Sequence, residues 1–131
     1  MMRRTGWGWL LVALALVGAG SCSDNSGPVA GQLTVSLTTP NPGGDGAVLF
    51  SVTGPDALTS ATAPAGLRVF AQPLGTVTRF AVTGTLTNGA VLTIGVANKS
   101  KAAQYAAAIQ SVAAPDFQLR ALSGYSLTVA P

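Results

Sequence analysis

The sequence predicts an all-β protein, with one small antiparallel β-sandwich of about eight or nine strands over residues 32–131. Short runs in which apolar and polar residues alternate recur along this part of the chain. Glycine and proline separate these runs at intervals of about ten residues, which is typical of sandwiches. Residues 22–131 suffice for a single core, and they hold no second cysteine that could form a disulfide with Cys22.

Alternation places the strands in the first part of the domain. The predicted strands are residues 32–38, 47–53, a short edge strand within 58–63, 67–72, and 76–82 with the pattern continued to Leu86. Residues 39–46 (TPNPGGDG) contain two prolines and three glycines and therefore form a loop. In the second strand we expect Val48, Phe50 and Val52 to point inward.

A hairpin is predicted at Asn88 and Gly89. These residues lie between two alternating runs, and Asn-Gly tolerates the positive φ angles of a type I′ turn. The strand that follows, residues 90–96, puts Ala90, Leu92, Ile94 and Val96 on one face. Gly95 within it indicates a bulge or a close backbone approach.

Residues 99–114 are compatible with either a helix or a strand. Their alanines favour a helix, and Tyr105, Ile109 and Val112 would share a helical face. Every neighbouring segment is a predicted strand, however, so we expect a strand over residues 104–112. Pro115 ends it, and residues 117–122 and 125–129 are the last predicted strands.

Several apolar positions carry a resemblance to a known family. The core candidates among the aromatic residues are Phe50, Phe70, Phe80 and Phe117. The runs GAVLF (46–50), NGAVLTI (88–94) and YSLTV (125–129) resemble the strand rhythm of cohesin-like, Ig-like sandwich domains of bacterial surfaces. This resemblance implies a sandwich, and no binding residues are carried over from it.

The N-terminal segment has the composition of an export signal. Arg3 and Arg4 precede an apolar run, WLLVALALV, and small residues follow it. The run is about half of the ~20 residues that a membrane-spanning helix needs. Residues 1–21 are therefore predicted to be a cleaved signal peptide, with the cut between Ser21 and Cys22.

The residues at the predicted cut, Ala19-Gly20-Ser21-Cys22, resemble the lipobox of bacterial lipoprotein precursors, with Ala19 in place of the commoner leucine. The resemblance implies that Cys22 is acylated on sulfur, becomes the new N-terminus and is usually acylated there as well. Two or three acyl chains hold a protein at a membrane, whereas one does so only marginally. Residues 22–31 are then the lipidated cysteine and a flexible tether, and residues 32–131 the β-sandwich domain.

Composition argues against several classes of function. The chain has no histidine and its four acids are all aspartates, so His-dependent catalytic triads and imidazole metal sites are excluded and an enzyme is not expected. The basic residues after position 22 are few and scattered, which argues against nucleic-acid binding. We expect no cofactor. Asn41, Asp45 and Asp56 match no calcium-loop spacing and favour an ordinary turn over a metal site.

Five residues are candidates for ligand binding. Tyr105 and Tyr125 could stack on sugar rings, although core packing is the favoured alternative for Tyr125. Arg68, Arg79 and Arg120 could converge on an anionic sugar or phosphate, although solvated strand faces are the favoured alternative.

These observations predict a bacterial envelope lipoprotein, anchored to a membrane through lipid on Cys22, and to the outer membrane if the organism has one. Its domain is expected to be a non-catalytic binding or structural module. The alternatives are a carbohydrate- or peptidoglycan-binding module and an assembly module that pairs with an envelope protein through an edge strand.

Overall fold

A computed structural model describes residues 27–131 and shows eight strands in two four-stranded antiparallel sheets. Ser21, Cys22 and the predicted signal peptide lie outside the described residues. The strands are β1 (Gly31–Thr38), β2 (Asp45–Thr53), β3 (Ser60–Thr62), β4 (Arg68–Leu74), β5 (Val77–Leu86), β6 (Gly89–Val96), β7 (Ala106–Ala113) and β8 (Ser126–Ala130). Within residues 27–131 one 3₁₀ helix, Lys99–Gln104, precedes β7.

The two sheets use the strands in different orders. Sheet I has the order β3–β6–β1–β8, and sheet II has the order β4–β5–β2–β7. In both sheets all neighbouring strands are antiparallel. The predicted β-sandwich is confirmed.

The core lies between the sheets and follows the alternation of the sequence. Val48, Phe50 and Val52 of β2 point inward as predicted, and the rings of Phe50 and Phe80 lie 5.4 Å apart. Burying such side chains contributes about 1.5–3 kcal/mol each, which makes this layer the main source of stability. The buried apolar residues are Leu33, Val35, Leu37, Val48, Phe50, Val52, Phe80, Val82, Leu86, Val91, Leu92, Ile94, Val96, Tyr105 and Val112.

Two of the aromatic core predictions are wrong. Phe70 is 57% exposed and Phe117 is 90% exposed. Phe70 shares its side of β4 with Arg68 and Gln72, and this side faces away from sheet I because strand side chains alternate between the two faces. Phe117 lies in the connection between β7 and β8, outside either sheet.

The predicted Asn88-Gly89 hairpin is wrong, because the two flanking strands lie in different sheets. β5 pairs with β2 and β4 in sheet II, whereas β6 pairs with β1 and β3 in sheet I. Only Gly89 of this pair has a positive φ, 122°, so the type I′ geometry is absent. The Asn88 side chain instead accepts a hydrogen bond from the Thr39 N–H at 2.7 Å. This bond ties the connection between β5 and β6 to the end of β1.

Strand β6 contains a β-bulge, which lies at Val91 and not at Gly95. Val35 of β1 pairs with Leu92 and Ser36 pairs with Ala90, so Val91 is bulged. The bulge buries Val91 and leaves Ala90 exposed, contrary to the predicted face. Gly95 has the predicted close approach, since a Cβ there would overlap the hydroxyl oxygens of Thr59 and Ser60.

The alanine-rich segment 99–114 is divided between a short helix and a strand. Residues 99–104 form the 3₁₀ helix, which Asn98 caps by accepting a hydrogen bond from the Ser100 N–H at 3.0 Å. Residues 106–113 form β7, which confirms the predicted strand over most of its length. The backbone pairing with β2 outweighs the helical propensity of alanine.

The predicted strand over residues 117–122 is wrong. A single bridge, between Ala113 and Leu119, is its only pairing in the described part of the chain. Pro115 and the positive φ of Phe117, 69°, bend the backbone away from an extended conformation. β8 then follows as predicted, with Leu127 and Val129 toward the core.

Candidate binding surface

The outer face of sheet II carries an apolar row across three strands. Phe70 of β4 pairs with Ala81 of β5, and Ala81 pairs on its other side with Leu49 of β2. Phe70 and Leu49 are 57% and 42% exposed. Because alanine is small, the two large side chains flank a trough at Ala81.

Polar side chains surround this row. Gln72 lies directly opposite Arg79, Arg79 lies opposite Ser51, and Gln110 of β7 borders the far side. Together with Ala71 and Phe80 these residues line a groove of about 330 Å³, which we call the sheet II groove. Its centre is apolar and its rim carries an amide on each side and one guanidinium. This combination is typical of surfaces that bind a ligand or partner.

The charge of this surface is positive. Arg68 and Arg79 both lie on outward-facing positions of sheet II, and no acidic residue does so in β4, β5 or β7. Arg68 pairs with Thr83 and Gln72 pairs with Arg79, so the two arginines are four positions apart along β5, or about 13 Å. Both arginines are exposed on a strand face, which is the arrangement that the sequence favoured for them. Phe70 occupies the outward position between Arg68 and Gln72.

Arg120 lies elsewhere, in a buried cluster around Asp45. The Asp45 side chain is fully buried and accepts hydrogen bonds from the Thr39 hydroxyl at 2.5 Å, the Tyr125 hydroxyl at 2.8 Å and the Arg120 Nε at 3.1 Å. Arg120 also donates to the Gly44 carbonyl oxygen at 2.7 Å. A buried carboxylate requires such partners.

The Asp45 cluster ties the two sheets together at one end of the sandwich. Thr39 follows β1 of sheet I, Asp45 begins β2 of sheet II, and Tyr125 immediately precedes β8 of sheet I. The Asn41 amide adds a hydrogen bond of 2.9 Å to the Tyr125 hydroxyl oxygen. Because the chain's own donors occupy the Asp45 carboxylate, these residues form a structural link between the sheets. Among residues 27–131, no group of three metal-ligating side chains occurs.

The two tyrosine candidates are both turned away from solvent. Tyr105 is 4% exposed, and its ring lies so close to Gly54 that a Cβ there would overlap it. Its hydroxyl has no hydrogen-bond partner among the described residues. Burial, and secondarily the Asp56 carboxylate, raises the pKa of Tyr105. Tyr125 is half-buried and its hydroxyl belongs to the Asp45 cluster, so neither ring offers a platform for a sugar.

A second exposed apolar feature lies beside the Asp45 cluster. Phe117 and Leu119 are 90% and 76% exposed, with the exposed Asp116 next to them. We call residues 115–119 the Phe117 tip. Its amino-acid order, proline, aspartate, then phenylalanine, predicts a turn, but nothing in that order predicts an outward-facing ring.

The sheet edges differ in how well they are protected. β3 has three residues, β8 has five, and β4 carries Arg68 and Pro73, which all limit edge pairing. β7 is eight residues long and uncharged, but the Arg120 N–H bonds to the Val112 carbonyl oxygen at 2.8 Å and covers its last part. Pairing through a free edge stays a prediction for the first part of β7.

Comparisons with protein-family models, with curated proteins and with solved structures found no match. No helix within residues 27–131 is both long and apolar enough to cross a membrane.

Proposed function

We propose that this protein is a lipid-anchored lipoprotein of the bacterial envelope whose β-sandwich is a non-catalytic binding module. The anchor is supported by the basic, apolar and small-residue segments before Cys22 and by the resemblance of residues 19–22 to a lipobox. A short tether rich in small and polar residues then leads to β1. Nine such residues have a typical end-to-end distance of about 15–18 Å, so the domain would stand close to the membrane surface.

The observation that carries the binding role is the sheet II groove. Phe70 and Leu49 expose apolar area on the solvent-facing side of sheet II, Phe70 on the edge strand β4 and Leu49 on the inner strand β2. Large exposed apolar side chains with a polar rim mark interaction sites. None of the residues that line the groove in the described chain is acidic, so it lacks a carboxylate for general acid or base chemistry.

A glycan of the cell wall is a second candidate ligand, and the rim of the groove favours it. The Phe70 ring can stack on the C–H face of a sugar, while Gln72 and Gln110 offer amide donors and acceptors for hydroxyl groups. Arg79 could form two parallel hydrogen bonds with a carboxylate of peptidoglycan or of an acidic polysaccharide. The platform would then be centred on Phe70, and not on Tyr105 or Tyr125, which the sequence offered as an alternative.

The proposal is tested by removing the apolar centre of the groove from the full-length protein. We predict that Phe70→Ser lowers binding to the envelope partner by about tenfold or more, because central aromatic residues dominate interface energies. Leu74→Ser is the matched control, since Leu74 is 51% exposed on the same strand but does not line the groove.

Binding is measured on the detergent-solubilised protein in two ways: by its native size in sedimentation, and by its co-sedimentation with purified peptidoglycan. A change in native size with Phe70→Ser and not with Leu74→Ser supports a protein partner. Loss of peptidoglycan binding with the same selectivity supports the glycan. Equal behaviour of both variants and the wild type in both measurements would contradict a role for the groove.

A further inference from the structure

Phe117 combines two features that rarely occur together. Its φ of 69° lies in the left-handed region, which is costly for a bulky residue and which glycine or asparagine adopts readily. Its side chain is nevertheless 90% exposed, so no packing within the described chain accounts for it. Backbone strain of this kind tends to persist at sites of function.

The Phe117 tip is held firmly by its own backbone. The Phe117 N–H bonds to the Ala114 carbonyl oxygen at 2.9 Å, and the Ala114 N–H bonds to the Gln118 carbonyl oxygen at 2.8 Å. The Asp116 carboxylate accepts a further hydrogen bond from the Gln118 N–H at 3.2 Å. Arg120, bonded to Asp45, then fastens the base of the tip to the buried cluster. A backbone held in this way loses little conformational freedom when the tip binds.

The same molecule carries a surface that complements this tip. The sheet II groove is apolar at Leu49, Ala81 and Phe70, and it carries the positive charge of Arg79 at its rim. The tip presents an aromatic ring with the negative charge of Asp116 beside it. An aromatic ring in the trough and an Asp116–Arg79 pair at the rim would satisfy both surfaces at once.

We propose that the Phe117 tip of one chain binds in the sheet II groove of a second copy. This inference rests on the proposed function, for which it names the partner of the groove. Tip and groove are different surfaces, so each copy offers one of each. The contact is heterologous, and it therefore builds rows or rings of molecules.

The position of the tip favours a protein partner over the anchoring membrane. The tether enters at Gly31, whereas the Asp45 cluster and the tip lie beyond the other end of β1, about 26 Å away. Asp116 would also be repelled by anionic headgroups. Rows of anchored molecules along the membrane require contacts between the domains themselves, which the tip and the groove supply.

The contact between tip and groove is small. A tip of five residues buries less than the roughly 1,200–2,000 Å² of a standard interface, so the association should be weak in dilute solution. Lipid anchors confine the copies to one surface and raise their effective concentration. Self-association is therefore expected mainly at the membrane.

The test is disulfide cross-linking between two differently tagged full-length copies in the bacterial envelope. One copy carries Gln118→Cys in the tip and the other carries Gln110→Cys at the groove, which leaves Phe117, Asp116 and Arg79 unchanged. We expect a disulfide-linked pair of the two copies. The control pairs Gln118→Cys with Thr128→Cys, an exposed position on sheet I, and is expected to give none.

Removing the Phe117 side chain should abolish this cross-link. Phe117→Gly in the tip copy is expected to lower its yield about 30-fold, the loss typical of a central anchor. Glycine accepts the left-handed conformation, so this variant keeps the turn. When both are anchored in one membrane, a tip-deficient copy (Phe117→Gly) and a groove-deficient copy (Phe70→Ser) should each be monomeric alone and form a one-to-one pair when present together.

The outcomes separate this inference from the proposed function. Equal cross-linking at Gln110 and Thr128, or a yield unaffected by Phe117→Gly, overturns the tip-in-groove contact. If Phe70→Ser still abolishes binding to another protein or to peptidoglycan, the groove keeps its proposed role with a different occupant. If Phe70→Ser changes neither cross-linking nor binding, both proposals fail.

Discussion

At the scale of single residues, Asp45 shows how far a local pattern can mislead. It lies in a run of prolines and glycines that predicts a solvated loop, yet its side chain is fully buried. Its partners Arg120 and Tyr125 are 75 and 80 residues away along the chain. Alternation and turn signals act over a few residues, so they could not have identified this cluster.

Tyr105 and Tyr125 can be compared directly, because among the described residues only the Tyr125 hydroxyl forms hydrogen bonds. Tyr125→Phe removes the hydrogen bonds to Asp45 and Asn41 and should lower the free energy of unfolding by about 1–3 kcal/mol. Tyr105→Phe removes a hydroxyl without a partner among the described residues, so stability at neutral pH should stay the same or rise by up to about 1 kcal/mol. Urea unfolding of residues 22–131 with Cys22→Ser measures both. Equal losses would contradict the assignment of Tyr125 to the cluster.

Tyr105 also gives the stability a dependence on alkaline pH. The folded state raises the pKa of Tyr105 above 10.0, chiefly by burial, so the folded protein favours the neutral phenol. The contribution is complete below about pH 10, and it is lost as pH rises through the folded pKa because the unfolded chain ionises first. Urea midpoints between pH 8 and pH 11 should therefore fall less steeply for Tyr105→Phe than for wild type. Parallel curves would contradict this prediction.

At the scale of elements, sequence alternation located most strands but could not assign them to sheets. The run around Asn88 and Gly89 has the local pattern of a hairpin, and the two strands it joins nevertheless separate into opposite sheets. At this connection the Asn88 side chain bonds to Thr39, which is 49 residues away along the chain, and a local pattern cannot show such a contact. The exposure of Phe70 could have been predicted from the sequence. In a strand, Phe70 lies on the same face as Arg68 and Gln72 and on the opposite face from Leu67 and Val69.

At position 117 we expect stability and the proposed binding to favour different residues: glycine suits the backbone, whereas phenylalanine supplies the ring. Phe117→Gly relieves the left-handed strain and loses no packing, so we expect the free energy of unfolding to stay equal or rise by up to about 1 kcal/mol. Gly75→Ala is the control: Gly75 has a φ of 74° and open space around the position of a Cβ, so alanine there should cost about 1 kcal/mol through backbone strain alone. Thermal unfolding compares the two. A clear loss of stability with Phe117→Gly would mean that Phe117 serves the fold.

At the scale of the whole molecule, composition and periodicity were enough for the architecture, because a chain of alternating strands has few other ways to bury its apolar faces. Composition and periodicity were not enough to predict the binding surface. The sheet II groove is built by side chains from β2, β4, β5 and β7, and it exists only once these strands lie in register. The lipid anchor is the reverse case, since it was predicted entirely from residues 1–22, which precede the described structure.

The most direct test of the account is the intact mass of the full-length protein after expression in a bacterium and extraction from its membranes. We predict a chain that begins at Cys22 and carries the mass of two or three acyl chains, and a Cys22→Ser variant that carries no lipid. Retention of residues 1–21, or an unmodified Cys22 at the new N-terminus, would contradict the proposal that this binding domain is a lipid-anchored envelope protein.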